Sequence, residues 1–447
     1  MTAVTSYWNR LSVPSRVLLV ALPTLLVLGG VATVALVILL PPLIDFLAAN
    51  PDLVRFVLAA TLVIVITIPT AFVIIYLELK VIARMNLRVG PDRVGPWGTA
   101  QSVAHGLKFL SKEDFTPRGV DVPIFTMAPV AVFLATIMTL LVVPFAPGLV
   151  AQDFNIALLY FFAIGGLNVV GLMMAGWASF NKYSLIGALR AAAQAISYEI
   201  PLTLSVVGVI ILAGTMSLNS IVEQQAGTFL DWNVWKQPLA LIIFFIAATA
   251  EANRTPLDMT EADQEIVAGF ATEYSGMRYG FFFFAEYVNV FVVSAMMVVL
   301  FFGGWNAPFE WPFPLAVALD PGSLGLGLLF GAALAPVIGT LVLAVPFWLL
   351  SSRISAIQAL VLGFICFLLL SGAAAFGLAF VSVDWVAGLV WMMAKTYVFV
   401  FIFVQMRATF PRVRVDQLMS FAWKWLLPAA LINIFVTAIA VSIMANR

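Results

Sequence analysis

Long apolar runs separated by charged loops constrain the fold of this chain more than any other feature. A helix that crosses a lipid bilayer needs about 20 mostly apolar residues. Eleven stretches are close to this length or longer, at 17–40, 53–77, 122–146, 155–179, 200–217, 236–253, 280–303, 324–350, 355–381, 384–408 and 422–444. Their apolar residues are continuous rather than alternating, which favours helices over the strands of a membrane barrel. We therefore predict an all-α integral membrane protein, a polytopic bundle of about 11 transmembrane helices.

The composition supports this fold class and excludes several functions. Hydrophobic residues make up 63% of the 447 residues and charged residues only 10%, which is too little polar surface for a water-soluble domain. The formal net charge is zero, so no overall field favours nucleic acid. One cysteine, Cys366, and one histidine, His105, cannot build an iron–sulfur cluster or a multi-ligand zinc or haem site. We expect the chain to bind no redox cofactor or metal itself.

The lysines and arginines predict the direction in which the chain crosses the membrane. With a cytoplasmic N-terminus, Arg55, Lys236 and Arg447 lie outside, Lys395 lies within a span, and the other 18 of the 22 basic residues lie inside. This distribution follows the positive-inside rule. The run 17–40 is longer than the roughly 7–15 residues of a signal-peptide core and lacks a small-residue cleavage site. We expect it to be a retained membrane anchor.

The first predicted inside loop, 79–121, is rich in basic side chains. These are Lys80, Arg84, Arg88, Arg93, Lys108, Lys112 and Arg118. Gly-Pro pairs at 90–91 and 95–96 fix turns among them. A membrane anchor beside the lipid headgroups explains the charge. Ordered turns are more than an anchor needs, so a binding surface is the other interpretation.

A second stretch, 177–199, combines helical spacing with polar residues. Arg190, Gln194 and Tyr198 recur every four residues, which places them on one stripe of a helix. Glu199 follows, at the predicted mouth of the span 200–217. A surface helix with one polar face is the alternative interpretation.

A third stretch, 250–276, carries an acidic cluster against the positive-inside trend. The acids are Asp258, Glu261, Asp263, Glu265 and Glu273. If 258–265 is helical, the first, second and fourth of them share one face, where like charges repel. A solvated acidic surface is one interpretation, and a functional cluster beside an intramembrane acid is the other.

Three ionisable side chains are predicted at membrane depth. Glu251 lies near the inner end of its span, Glu286 about two turns into the next, and Lys395 near the middle of 384–408. Such groups are costly in lipid and mark proton, ion or substrate paths. The alternative is a structural ion pair, such as Lys395 with a carboxylate. These features fit proton or ion handling, and they also fit binding of an amphipathic ligand.

Four motifs make the chain resemble the H subunit of NADH-quinone oxidoreductase (respiratory complex I), whose mitochondrial relative is subunit 1. They occupy 76–98, 177–199, 250–276 and 407–424, in the order of the family. The second contains GALRAAAQAISYE, and the third reads AEANRTPLDMTEADQEIVAGFATEYSG. The resemblance covers about 53–305 and 384–444, which include eight of the eleven predicted spans.

This resemblance implies a membrane-arm subunit that forms much of a quinone chamber and is catalytic only within a proton-pumping NADH:quinone oxidoreductase. Quinone is the implied substrate, and FMN and iron–sulfur clusters are expected in partner subunits. The implied partners are the other membrane-arm subunits and the peripheral-arm subunits. The implied chamber residues are Arg84, Arg88, Arg93, Lys80, Asp258, Glu261, Asp263, Glu265 and Glu273. The implied proton-path residues are Glu199, Glu251, Glu286, Lys395, Arg190 and Tyr198. The implied location is the bacterial plasma membrane.

The chain departs from the family pattern at four motif positions. Leu79 stands where the family has arginine, Asp92 where it has asparagine, His105 where it has aspartate and Asp263 where it has glutamate. The predicted division is an extra N-terminal helix in 1–52, a family core in 53–305, an extra two-helix insertion in 306–383 and a core helix pair in 384–447. Gly327-x-x-x-Gly331 is suited to tight packing of the insertion.

Two other functions stay open at this point. The first is the equivalent subunit of a membrane-bound hydrogenase or of a ferredoxin- or F420-dependent dehydrogenase, although 261–265 resembles complex I more closely. The second, from a different class, is a stand-alone proton-coupled transporter. That class favours internal repeats and interrupted helices at the midplane, and neither is clear in this sequence.

Overall fold

The computed structural model describes residues 51–259, 268–308 and 384–445. The chain divides into two compact units, Met1–Ala60 and Thr61–Arg447. Of the first unit the structure describes only 51–60, the start of a helix. The predicted spans 17–40, 324–350 and 355–381 lie outside the described residues, as do Glu261, Asp263 and Glu265.

Helices make up most of the described structure. They are α1 Pro51–Met85, α2 Gln101–Ser111, α3 Val122–Leu140, α4 Ala157–Ala178, α5 Lys182–Ala213, α6 Leu218–Glu223, α7 Asn233–Lys236, α8 Pro238–Glu251, α9 Gly276–Phe301, α10 Asp384–Thr409, α11 Val415–Phe421 and α12 Leu427–Ala445. A short π-helical segment, Ala422–Leu426, joins α11 to α12. The three described ranges contain no β-strand, so the all-α prediction is confirmed there.

Among the described residues, seven helical stretches are long and apolar enough to cross a membrane. They are Val63–Met85 within α1, α3, α4, α5, α9, Ala387–Thr409 within α10, and Val415–Met444, which runs through α11 and α12. The predicted span 236–253 corresponds to α8, which is apolar but only 14 residues long. All eight predicted spans in the described ranges thus coincide with apolar helices. The total of eleven spans and the cytoplasmic N-terminus stay predictions.

Helix α5 corrects one sequence interpretation. The sequence predicts the polar stretch before Glu199 and the apolar span 200–217 as separate elements, but they form one helix of 32 residues. Asn181 caps its start by accepting a hydrogen bond from Tyr183 N, and Gly214 ends it in the left-handed conformation. At about 1.5 Å per residue the helix is about 48 Å long, more than the roughly 30 Å of bilayer hydrocarbon. Glu199 therefore lies in the middle of a helix and not at the mouth of one.

Small residues let the central helices approach closely. A Cβ on Gly176 of α4 would lie 2.2 Å from the Cβ of Ala188 on α5, and one on Gly171 would lie 2.5 Å from a methyl of Val132 on α3. Interfaces of this kind replace the hydrophobic driving force that lipid removes. Of the seven spans in the described residues, α9 is the most buried, because 78% of an 18-residue apolar stretch within it is buried. Glu286 and Asn289 of α9 are accordingly at least half-buried.

Candidate functional site

Three of the predicted proton-path acids line adjoining cavities. Glu199 of α5 and Glu251 at the end of α8 border a cavity of about 20 Å³. Glu286 of α9 borders a neighbouring cavity of about 10 Å³. Asn168 and Asn253 border both. The structure thus brings together acids that lie on three helices and are separated by up to 87 positions, from 199 to 286.

Glycines of α4 leave room beside two of these carboxylates. A Cβ on Gly165 would lie 3.8 Å from an oxygen of Glu251, and one on Gly166 would lie 3.6 Å from an oxygen of Glu199. Asn289, one turn after Glu286 on α9, donates a hydrogen bond of 3.3 Å to the backbone carbonyl of Glu251. The α9 helix is therefore fixed directly to the end of α8 at this site.

Glu286 also borders a larger cavity of about 150 Å³. Tyr279, Phe282 and Phe283 of α9 form one wall of this cavity, and 268–271 form another. That second wall is attached to α5, because Ser184 Oγ donates a 2.9 Å hydrogen bond to the Phe270 carbonyl. Glu286 thus borders both the cavity of about 150 Å³ and the small cavity that adjoins that of Glu199 and Glu251.

A further cavity, of about 310 Å³, is almost wholly apolar. It lies between α1, α2 and α9, with Phe72, Phe109 and Phe283 among its lining residues. The polar exceptions in this lining are Ser102 and His105 of α2. His105 Nε2 lies 3.1 Å from Gln101 Nε2, within hydrogen-bond distance. Phe283 borders both this cavity and the Glu286 cavity, so the two spaces share one wall residue.

A buried charge cluster around Glu78 was not predicted from the sequence. Glu78 of α1 is buried and accepts hydrogen bonds from Arg254, at 3.2 Å, and from Arg407 of α10. The Arg254 guanidinium also lies 4.3 Å from the ring centre of Tyr287. Burial lowers the pKa of Arg254, but Glu78, Tyr287 and Glu286 together outweigh burial and hold this pKa above its ordinary value. A signal was present, because Glu78 is a lone acid in an apolar run, as Glu251 is.

The predicted chamber residues that the structure describes are either buried and paired, partly exposed and paired, or exposed. Asp258 is buried and accepts a 2.8 Å hydrogen bond from Arg412. Glu273 accepts one of 2.6 Å from Asn181 Nδ2. Lys80 lies 3.7 Å from Asp92, a residue that departs from the family pattern. The exposed members of the set are Arg84, Arg88 and Arg93. The paired residues contribute to a folded polar surface, whereas the exposed arginines are open to a partner or to solvent.

The predicted stripe on 190–198 is confirmed, but most of it is buried. Gln194 Nε2 donates to the carbonyls of Ala250 and Leu257, at 2.7 and 2.6 Å. Tyr198 is fully buried and donates a 2.9 Å hydrogen bond to the Leu418 carbonyl. Only Arg190 is partly exposed. The alternative of a surface helix is therefore wrong for Gln194 and Tyr198, which hold the end of α8 and α11 against α5.

Lys395 does not form the carboxylate pair that the sequence allows as an alternative. Its ammonium donates to three backbone carbonyls, of Phe302, Gly304 and Asn306, at 2.6–2.8 Å. It also lies 4.3 Å from the ring centre of Trp232. A cation at these carbonyls is favoured by the helix dipole of α9, which ends just before them. Its part in a proton path stays a prediction.

Metal-binding chemistry has no obvious site in the three described ranges. No group of three or more histidine, cysteine, aspartate or glutamate side chains is arranged there to hold a metal ion. The cavities are instead lined by carboxylates, amides and aromatic rings. These groups suit proton exchange and apolar ligands.

The sequence is similar to proteins of one family along most of its length. The family model described as NADH dehydrogenase matches residues 57–438. A Brevibacillus brevis protein named as the H subunit of NADH-quinone oxidoreductase is 40% identical over 87% of this chain and 93% of its own length. A Solibacter usitatus protein named as H subunit 1 of the same enzyme is 41% identical over 82% of this chain and 91% of its own length. A Geobacillus relative that also carries the H-subunit name is 40% identical over 81% and 86%.

Proposed function

The chain belongs to the NADH dehydrogenase family, as a membrane subunit of the proton-translocating NADH-quinone oxidoreductase, and from that premise we propose that it forms much of the quinone chamber and links quinone reduction to proton movement. The H-subunit name of its relatives favours this complex over the hydrogenases and dehydrogenases that use other electron donors. A complex assembled from many subunits also disfavours a stand-alone transporter.

The apolar cavity between α1, α2 and α9 supports binding of a quinone tail. Its volume of about 310 Å³ lies in the range of small-molecule sites, and its walls are mainly phenylalanine, leucine and isoleucine. A quinone combines a hydrophobic tail with two carbonyl acceptors, and His105 and Ser102 are the polar side chains that face this space. The cavity matches that combination, with a long apolar wall and a small polar area.

The arrangement of Glu199, Glu251 and Glu286 carries the proposal of proton movement. The three acids border cavities that share Asn168 and Asn253 as walls. Carboxylates at membrane depth are costly and are kept where protons or ions pass. A series of carboxyl groups on connected cavities lets a proton move between them in short steps.

The Phe283 ring supports a link between the two activities. It borders the apolar cavity on one side and the Glu286 cavity on the other. A quinone in the first space therefore lies one aromatic ring away from the first acid of the series. A change in the charge of the quinone on reduction would alter the proton affinity of Glu286 across this short, weakly screened distance.

The remaining predicted residues have roles in this proposal that follow from their positions. Asp258 and Glu273 stabilise the inside surface through Arg412 and Asn181. We assign the exposed Arg84, Arg88 and Arg93 to the docking of the peripheral arm. We assign Glu261, Asp263 and Glu265, which lie outside the described residues, to the loop that couples the chamber to the proton path.

The partners follow from the same proposal. FMN and iron–sulfur clusters lie in other subunits, which deliver electrons to quinone at the inside face. Other membrane-arm subunits complete the proton path, and lipid surrounds the exposed apolar spans. The location in this proposal is the bacterial plasma membrane. The division into a family core, an N-terminal helix and a two-helix insertion stays a prediction.

Substitution of the acids in the assembled complex tests the proposal. Glu251→Gln and Glu286→Gln keep the size of each side chain but remove its exchangeable proton, so quinone turnover coupled to pumping should fall about tenfold or more. Turnover is measured as NADH oxidation by quinone in membrane vesicles, and pumping as acidification of the vesicle interior.

Glu223→Gln is the matched control, because Glu223 is an exposed acid at the end of α6. It should leave both rates unchanged. Wild-type pumping and turnover in complexes that carry Glu251→Gln and Glu286→Gln would rule out the proposed path.

A further inference from the structure

Asn168 of α4 lies at the junction of the two small cavities. It borders the cavity of Glu199 and Glu251 and also the cavity of Glu286. Leu172, four residues later on the same helix, borders both cavities too. Since residues at this spacing share a helix face, one face of α4 closes the space between the acids.

Two buried oxygens at this junction have no hydrogen-bond donor within the described parts of the chain. They are Oδ1 of Asn168 and Oε2 of Glu251. Both residues border the cavity of about 20 Å³. Buried acceptors in native proteins are almost always paired with protein or ordered water. Two unpaired acceptors on one cavity therefore indicate a donor that reaches both.

The cavities are large enough for single water molecules. Volumes of about 20 and 10 Å³ each fit about one water, and both spaces have several polar walls. A water molecule carries two O–H donors, which matches the two unpaired oxygens. Gly165 lies against the Glu251 carboxylate, since a Cβ there would be in van der Waals contact with it at 3.8 Å.

We propose that Asn168 is a positioning residue, which holds a water molecule beside Glu251 and so connects the Glu286 cavity to the Glu199–Glu251 cavity. This inference rests on the proposed proton path and adds a residue to it. The water accepts a proton from the Glu286 side and gives another to the Glu251 carboxylate. It is therefore a neutral water molecule again at the end of the step. The Asn168 amide accepts a hydrogen bond throughout and is never protonated.

An isosteric pair of variants tests this role in the whole complex. Asn168→Val and Asn168→Thr have the same shape, but only threonine presents an oxygen to the cavity. Asn168→Val should lower the kcat of coupled quinone reduction about fivefold or more, with KM for quinone unchanged, and Asn168→Thr should restore most of the rate. A packing role would affect both variants equally.

The outcomes separate this inference from the proposed function. Wild-type pumping in Asn168→Val, or equal losses in Val and Thr, would overturn the role of Asn168 even if Glu251→Gln and Glu286→Gln are inactive. Wild-type activity in the two glutamate variants would instead overturn the path itself. If the β-branched variants fail to assemble, Asn168→Leu, which is close to asparagine in size, replaces Val and Asn168→Ser replaces Thr.

Asn433→Leu serves as a control for loss of a buried asparagine elsewhere in the bundle. Asn433 of α12 donates a 3.1 Å hydrogen bond to Gln237 and borders neither small cavity. In assembled complexes its loss should leave the kcat of coupled turnover unchanged. A loss as large as that in Asn168→Val would count against a specific role for the junction.

Discussion

At the scale of single residues, Glu78 illustrates how this chain keeps charges inside a membrane bundle. Its carboxylate contacts two guanidiniums, Arg254 and Arg407, so the cluster holds one more positive than negative charge. Burial of such a group is costly without good geometry. The face of Tyr287 stabilises the extra charge through a cation–π contact. The cluster joins α1, the loop after α8 and α10 at one point.

Neutralising Glu78 should destabilise the subunit strongly. Glu78→Gln removes the carboxylate that the buried Arg254 and the half-buried Arg407 share, and breaking a buried pair in this way costs about 3–5 kcal/mol. The expected result is a lower yield of assembled complex and a lower melting temperature, measured by native electrophoresis and thermal unfolding in detergent.

Arg407→Gln is the informative comparison for this prediction. It leaves the Arg254–Glu78 pair intact and nearly neutral, so its effect should be clearly smaller than that of Glu78→Gln. Equal stability of Glu78→Gln and the wild type would show that the cluster contributes nothing to assembly.

At the scale of elements, α4 and α9 do most to form the site. α4 presents small or polar residues to its neighbours, with glycines at 165, 166, 171 and 176 and Asn168 among them. α9 presents phenylalanines to the apolar cavity and Glu286 to the polar ones. Each helix therefore has different chemistry on different faces, although both read as uniformly apolar runs.

Enlarging a glycine in the α4–α5 contact should separate the helices. In Gly176→Val the Cβ alone would lie 2.2 Å from the Cβ of Ala188, so the backbones must move apart. Overpacking of this kind costs about 1–3 kcal/mol. The melting temperature of the assembled complex should fall.

Val170→Leu is the control, since Val170 is an exposed residue of the same helix. This variant should melt as the wild type does. A normal melting temperature for Gly176→Val would mean that α4 and α5 do not pack as closely as described.

At the scale of the whole molecule, the distribution of basic residues predicts the orientation in the membrane. A single-cysteine series in a Cys366→Ser background tests this orientation. Phe115→Cys, between α2 and α3, should react with a membrane-impermeant maleimide only from the cytoplasm. Ala226→Cys, between α6 and α7, should react only from the outside. Both positions are exposed and lie in loops, and reversed labelling would invert the proposed topology.

The sequence by itself determined that this protein lies in lipid and which of its ionisable residues lie within apolar runs. Continuous apolar runs require lipid, and the eight predicted spans in the described ranges coincide with helices. Glu251 and Glu286 could be found because an ionisable residue in an apolar run is unusual whatever its surroundings. The motifs were enough to predict the family.

Only the tertiary structure decided which of these residues meet. Glu78 pairs with Arg254 and Arg407, which follow it in the chain by 176 and 329 positions. Asn168 borders two cavities whose acids lie on three other helices. Periodicity describes one helix face at a time and carries no information on how helices cross. Those crossings depend on close contacts such as that of Gly176 with Ala188. The sequence therefore allowed Lys395 to pair with an acid or to carry protons, and only the structure shows that it binds backbone carbonyls at the end of α9.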